Sequence, residues 1–376
     1  MSGATKIDLV VGTRPNFVKM AAIIAAADIS LRKSSGLATG IDYRLIHTGQ
    51  HYDVAMSKRF FEELKLPNPD VNLEVGSTSH AKQSGAIMTR YEGLLESEIR
   101  PEMSVVVGDV NSTLACAITA QKAGIPVAHV EAGLRSGDWS MPEEINRRAT
   151  DAITNLFFTT SHEATANLVR EGVHEDAIVF AGNTMIDTLL SSVDRLRPPD
   201  VWTDLSLRPG HYLLLTLHRP SNVDDVDALR DQLLLLAQSA EGTPIVFPAH
   251  PRTASKLAAI EDLPRNIHVI SPQPYLEFMY LVKHASGVVT DSGGLTEETT
   301  VLGIPCLTLR TTTERPETVS IGTNELAPED PRGIQSLIQR MLGGEWKKGE
   351  IPDRWDGRAG QRVVDGLVAF LSQRAV

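Results

Sequence analysis

Acidic side chains follow two short apolar runs in the first half of the chain. Gly108-Asp109 ends the run 104–107, and Glu131 ends the run 126–130. Asp138 and Pro142-Glu143-Glu144 come next, with Arg147 a helical turn further on. Carboxylates gathered in one place repel, so at least one should hold its proton more tightly than usual, which suits general acid–base work. Glu143 and Glu144, each taken alone, read as ordinary acidic residues at a helix N-terminus, favoured by its dipole. Upstream, Gly12-Thr13-Arg14-Pro15 with Lys19 one turn later could hold an anion on backbone N–H groups and a guanidinium fork. This matches neither a Walker A loop nor GxGxxG, and alone it is equally a strand-to-helix turn with a surface arginine.

The second half offers cationic and glycine-rich strand ends. Thr216-Leu217-His218-Arg219 and Ala249-His250-Pro251-Arg252 each follow an apolar run. A histidine beside an arginine there can hydrogen-bond a diphosphate, and His218 is the favoured of the two. Asp291-Ser292-Gly293-Gly294 opens a helix that carries Glu297 and Glu298. Small residues, free N–H groups and the helix dipole make this the best phosphate cradle in the chain. A glutamate one turn in could accept a hydrogen bond from a ribose hydroxyl. Thr313-Glu314-Arg315-Pro316 offers another guanidinium.

These residues need strands to present them. Runs 6–11, 104–107, 126–130 and 155–159 read as buried strands, with helices at 15–34, 53–64, 79–98, 111–124, 142–154 and 161–172. A second series has strands at 212–216, 244–248, 267–271, 287–290 and 305–309, with helices at 223–240, 252–261, 275–285 and 294–302. Val- and Ile-rich runs without polar alternation, separated by amphipathic stretches, predict α/β structure: parallel sheets built from βαβ units. The Pro-rich segment 196–210 lies near the junction of the two series. The expected organisation is therefore two Rossmann-like doubly wound domains, 1–182 and 183–359, with the last helix, 360–376, docking back on the first. Ligands of such folds lie outside the carboxyl ends of the strands, so a central cleft is the expected site.

Composition narrows the partners. The 376 residues carry 36 Lys+Arg against 47 Asp+Glu, a formal net charge of −11, which argues against nucleic-acid or anionic-membrane binding. Cys116 and Cys306 are far apart in apolar segments, so neither a disulfide framework nor a zinc motif is expected. The N-terminal MSGATKIDLVVG has no signal-peptide pattern, and no apolar run could span a bilayer, so a cytoplasmic protein is predicted.

Taken together, GTRPNFVKMAAII, TGQHYD, VVVGDVNSTLA, HVEAGLRS, MPEEINRR, TLHRPSN, FPAHPRT, VVTDSGGLTEET and TERPETV resemble the motifs of the non-hydrolysing UDP-N-acetylglucosamine 2-epimerases, in family order from residue 12 to about 320. The resemblance implies the two-domain glycosyltransferase-B architecture. It also implies interconversion of UDP-GlcNAc and UDP-ManNAc without NAD or metal, usually by homodimers supplying ManNAc units for cell-surface polysaccharide. It assigns Arg14, Lys19, Asp109, Glu131, Glu143, Arg147 and His218 to the chemistry. It assigns Gln273, Phe278, Ser292, Gly293, Gly294, Glu298 and Arg315 to holding UDP. Departures from the pattern are Asn16 for the usual Glu after GTRP, Pro220-Ser221 within HRxEN, and Thr296 for Gln in DSGGxQEE. Bacterial members also bind a second UDP-GlcNAc as activator through Gln-x-x-Gln and Arg-Gln pairs. Gln50-His51-Tyr52-Asp53 and Lys82-Gln83 stand at those positions and imply that this activation is lost.

Overall fold

The computed structural model describes residues 5–33, 41–49, 54–96 and 100–374. The chain forms two compact units, Met1–Ser191 with Asp353–Val376, and Ser192–Pro352. The first holds a parallel sheet of β1 (Thr5–Val11), β2 (Ile41–His47), β3 (Val71–Asn72), β4 (Met103–Val107), β5 (Val127–Val130), β6 (Leu156–Thr159) and β7 (Ile178–Phe180), in the spatial order 3-2-1-4-5-6-7. The second holds β8 (Leu213–Thr216), β9 (Ile245–Pro248), β10 (Ile267–Ile270), β11 (Gly287–Thr290), β12 (Cys306–Thr308) and β13 (Asn324–Leu326), in the order 10-9-8-11-12-13. The strand order reverses between β1 and β4 in one sheet and between β8 and β11 in the other. Those two switch points are where doubly wound sheets open a crevice for ligands.

The expected fold class holds: each unit is a Rossmann-like α/β layer, with strands buried as near-continuous apolar runs. Four strands have weak sequence signals. β3, β7 and β13 span two or three residues, too few to set up a period. β2 reads Ile-Asp-Tyr-Arg-Leu-Ile-His, and its arginine looks like a surface residue. In register, however, Arg44 lies opposite Asp8 of β1. The pair is bidentate at 2.8 and 2.9 Å inside the unit, and the Tyr91 hydroxyl donates to the same carboxylate at 3.0 Å. Burial pushes the Asp8 carboxyl up, against the opposing pull of Arg44 and Tyr91.

The units divide at Ser191/Ser192 and Pro352/Asp353, where the sequence suggested 182/183 and 359/360. Helix Thr184–Ser192 stays with the first unit, its Thr188 hydroxyl donating to the Val18 carbonyl at 2.7 Å. The returning segment is fastened before its helix begins: Trp355 is buried and its indole N–H donates to the Thr160 carbonyl at 3.0 Å. Helix Ala359–Arg374 then packs on helix Arg14–Lys33, so closely that a Cβ at Gly360 would lie 2.4 Å from the Ala22 carbonyl oxygen. Cys116 and Cys306 are buried free thiols, both pushed up by burial.

The Asp8–Arg44 pair gives a test of the first unit. Arg44→Met should leave a buried carboxylate without its cation and cost about 3–5 kcal/mol. Removing both charges, as Asp8→Leu with Arg44→Met, should cost distinctly less in chemical denaturation. An Arg44→Met protein as stable as the wild type would show that the buried pair does not support the fold.

Candidate active site

At the first switch point three strand ends meet over Gly108. This residue has φ +69°, and a Cβ there would lie 3.1 Å from Asn16 Nδ2, 3.3 Å from Lys19 Nζ and 3.6 Å from the Glu131 carboxylate. Glycine thus supplies both the left-handed backbone and the room in which these side chains converge. Lys19, one turn into helix Arg14–Lys33, forms an ion pair with Glu131, and both are buried. Glu131 itself takes φ +70°, an uncommon conformation for a residue with a Cβ and one often found at functional sites. Asn16 accepts the Thr13 N–H and hydroxyl on Oδ1, at 3.0 and 2.7 Å, and donates from Nδ2 to the Val107 carbonyl at 2.7 Å. An ionised Glu at this position could not make that donation. The amide ties the start of the helix to the end of β4.

Asp109 follows directly, its side chain 24% exposed, and Arg147 Nε donates to it at 3.0 Å. Arg147 is itself buried and donates from Nη1 to Glu144 at 2.6 Å. Glu144, fully buried, also accepts the Ser136 N–H at 2.9 Å and Arg148 Nε at 3.0 Å. Burial alone would raise its carboxyl, but these partners hold it below the usual carboxylate range. Glu144 therefore fastens the 136–137 turn and Arg147, and is not free to exchange protons. Its neighbour Glu143, in the first turn of helix Pro142–Asp151, is half-buried. Arg14 is exposed at the start of its helix, with no side-chain hydrogen bond or ion pair among the described residues.

At the second switch point His218 follows β8, and Asp291 follows the neighbouring β11. Asp291 is fully buried, yet its carboxylate accepts from the backbone N–H of His218 and Arg219 at 3.0 and 2.9 Å and from Asn222 Nδ2 at 3.0 Å. Its other contact is His218 Nδ1 at 2.7 Å. Burial would raise this carboxyl, and the donors, His218 foremost, hold it below its ordinary range. The carboxylate can only accept, so Nδ1 of His218 carries a proton and Nε2 belongs to the outward edge of a ring that is 56% exposed. Asp291 is the functional residue that the sequence reading missed. It stood in the DSGG stretch, but its partner lies 73 residues away and becomes visible only once β8 and β11 are neighbours.

Ser292, Gly293 and Gly294 are half-buried at the start of helix Gly293–Leu302. A Cβ at Gly293 would fall 2.2 Å from Glu314 Oε1 and 3.2 Å from Arg315 Nη1, so glycine is needed for close approach. Arg315 is buried there, bonded to Glu314 at 2.9 Å and to Glu297. Gln273 and Phe278 are both half-buried, and Gln273 Nε2 donates to the Ser271 carbonyl at 2.8 Å. Tyr275, a residue sequence reading passed over, donates its hydroxyl to Glu298 at 3.0 Å. Burial pushes the Glu298 carboxyl up to about 7, against the effect of that bond. Of the expected activator positions, 50–53 lie outside the described residues. Gln83 is buried, with its amide bonded to the Gly76 carbonyl and to Asn111 at 2.9 and 2.8 Å, and Lys82 is exposed.

The family model described as UDP-N-acetylglucosamine 2-epimerase matches residues 35–368, nearly the whole chain. The chain belongs to the UDP-N-acetylglucosamine 2-epimerase family. It is 40% identical over 371 residues to the UDP-N-acetylglucosamine 2-epimerase of Methanocaldococcus jannaschii, covering 96% of this chain and 98% of that protein. It is 38% identical over 347 residues to the UDP-2,3-diacetamido-2,3-dideoxy-D-glucuronate 2-epimerase of Pseudomonas aeruginosa, covering 90% and 92%. The crystal structure of the Methanocaldococcus jannaschii enzyme in complex with UDP-GlcNAc and UDP is similar at a TM-score of 0.85 and 39% identity, covering 97% of this chain and 100% of that one. Among the described residues no helix is long and apolar enough to cross a membrane, and no three His, Cys, Asp or Glu side chains are grouped to hold a metal ion.

Glu298 makes the second unit sensitive to pH. A carboxyl that binds its proton more tightly when folded stabilises the fold fully below its unfolded value and loses that contribution as pH rises through its folded value. Stability of the second unit should therefore fall as pH rises from about 4.5 to about 7, and Glu298→Gln should flatten that slope. Thermal melts across this range check it; an unchanged slope in Glu298→Gln would remove Glu298 as its source.

Proposed function

We propose that this chain interconverts UDP-N-acetylglucosamine and UDP-N-acetylmannosamine at C2 by eliminating and re-adding UDP. The observation that carries the reading is the convergence of Lys19 and Glu131 on Gly108, the residue before Asp109, in a chain of this family.

The C2 proton of a GlcNAc unit has no adjacent carbonyl and is not acidic, so simple deprotonation is not a workable route. Elimination removes that obstacle. A carboxylate takes the C2 proton while the C1–O bond to the diphosphate breaks, giving 2-acetamidoglucal and UDP. Re-addition of UDP at C1, with a proton delivered to the opposite face of C2, gives the epimer. Two faces require two acid–base groups, and Asp109, Glu131 and Glu143 supply them. Lys19 and Arg147 hold Glu131 and Asp109 in place. The departing diphosphate is stabilised by Arg14, by His218 from Nε2, and by the N–H groups at residues 292–294. Phe278 packs on the uracil, Gln273 and Arg315 complete the nucleotide site, and Glu298 accepts from the ribose. The protein works as a homodimer in the cytoplasm, needs neither nicotinamide nor metal, and supplies ManNAc units for cell-surface polysaccharide.

Incubation with UDP-GlcNAc alone, followed by NMR, should yield UDP-ManNAc. Free ManNAc with UDP would mean a hydrolysing enzyme. No change in UDP-GlcNAc, with turnover of a diacetamido uronic analogue, would replace the substrate. Asp109→Asn or Glu131→Gln should lower kcat by about 10²–10⁴-fold, the usual share of a positioned acid or base, with UDP affinity retained. Near-normal turnover in both variants would exclude these carboxylates from the mechanism.

A further inference from the structure

Four cations and four carboxylates of the first unit form one alternating chain. It starts inside the sheet, where His129 Nδ1 lies 2.7 Å from Asp151 Oδ1. Asp151 Oδ2 pairs with Arg135 Nη1 at 2.7 Å, and Arg135 donates to both oxygens of Glu171 at 3.0 and 2.6 Å. Arg148 joins Glu171 to Glu144 at 3.1 and 3.0 Å. Arg147 then joins Glu144 to Asp109 at 2.6 and 3.0 Å. At the other end, His129 Nε2 lies 2.9 Å from the Gly108 carbonyl oxygen. The two ends therefore close on adjacent residues, Gly108 and Asp109, and the Asp109 carbonyl is held as well, by Asn146 Nδ2 at 2.8 Å.

The partners of His129 decide its protonation. A backbone carbonyl can only accept, so Nε2 carries a proton. Asp151 receives the Gly133 N–H at 3.0 Å and the Arg135 guanidinium besides the imidazole, so it too is an acceptor, and Nδ1 must also carry a proton. The charged groups facing His129 are Asp151, from helix Pro142–Asp151, and behind it Arg135, from the segment after β5; β4 presents the Gly108 carbonyl. We infer that His129 is a buried imidazolium and acts as a positioning residue, closing a charge-alternating clasp that holds Asp109 at the end of β4. With His129 charged, cations and anions alternate completely around the clasp. With His129 neutral, one anion would be in surplus in a region where water screens poorly. The clasp meets solvent at Glu171, Arg148 and Asp109, whose side chains are 36%, 32% and 24% exposed, while His129 and Asp151 are insulated.

The protonation state stands on geometry alone; the positioning role rests on the acid–base role proposed for Asp109. Two measurements separate them. In protein labelled with ¹⁵N-histidine, the His129 ring, identified by its loss in His129→Gln, should show both nitrogens protonated at neutral pH. A singly protonated ring at neutral pH would overturn the inference, whether or not the protein epimerises anything. Separately, His129→Gln should lower kcat by about tenfold to a hundredfold, as expected when a reacting group loses its aim, with UDP affinity unchanged. Adding Asp151→Asn, which leaves a neutral amide pair, should restore part of the lost kcat. A double variant no better than His129→Gln would remove charge alternation from the account, and full activity in His129→Gln would remove the positioning role.

Discussion

Carboxylates cannot be crowded at the end of a sheet unless each has a cation to answer it. The first unit is organised around that electrostatic requirement. Glu131 has Lys19, Asp109 has Arg147, and Glu144 has both Arg147 and Arg148. Lys19 and Arg147 are withdrawn from water, and a charge–charge contact away from water is worth far more than at the surface. Removing Lys19 would strand Glu131 and removing Arg147 would strand Asp109, whereas Glu144 is held by two cations. Gly108 is the geometric condition that lets it assemble, since a side chain there would occupy the space where Asn16, Lys19 and Glu131 meet.

The second unit meets a related demand in a different way. The buried carboxylate at its switch point, Asp291, is satisfied mainly by backbone and amide donors, and uses one contact to fix the tautomer of an exposed histidine. The helix that starts two residues later has glycine where Glu314 and Arg315 crowd underneath. Both devices sit at the point where strand order reverses, where the two neighbouring strands turn away to opposite sides and leave their ends uncovered. The proposed division of labour follows: one switch point carries proton transfer, the other carries the diphosphate and nucleoside.

Much of this was legible in the sequence because apolar strand runs and the residues that end them are local signals. Gly108-Asp109, Glu131, His218 and the Ser292-Gly293-Gly294 turn were all found in that way. What escaped was pairwise and distant. Arg44 in β2 looks like a surface arginine until it is set opposite Asp8. Asp291 looks like part of a phosphate turn until β11 lies beside β8. Glu144 and Glu143 are indistinguishable as neighbours at a helix start, yet one is fully bonded and buried and the other half-buried. His129 sits in an apolar run and reads as a core residue, and its two acceptors come from a strand end and a helix that only the fold brings together.

The central claim is that the first unit's carboxylates move the C2 proton while the bond to the diphosphate breaks. Its most direct test is turnover of UDP-GlcNAc in D2O, stopped at partial conversion and read by NMR. The account predicts deuterium at C2 of the epimer formed, and in Asp109→Asn or Glu131→Gln a slow release of 2-acetamidoglucal with UDP. Epimerisation that retains the original hydrogen at C2 would contradict it.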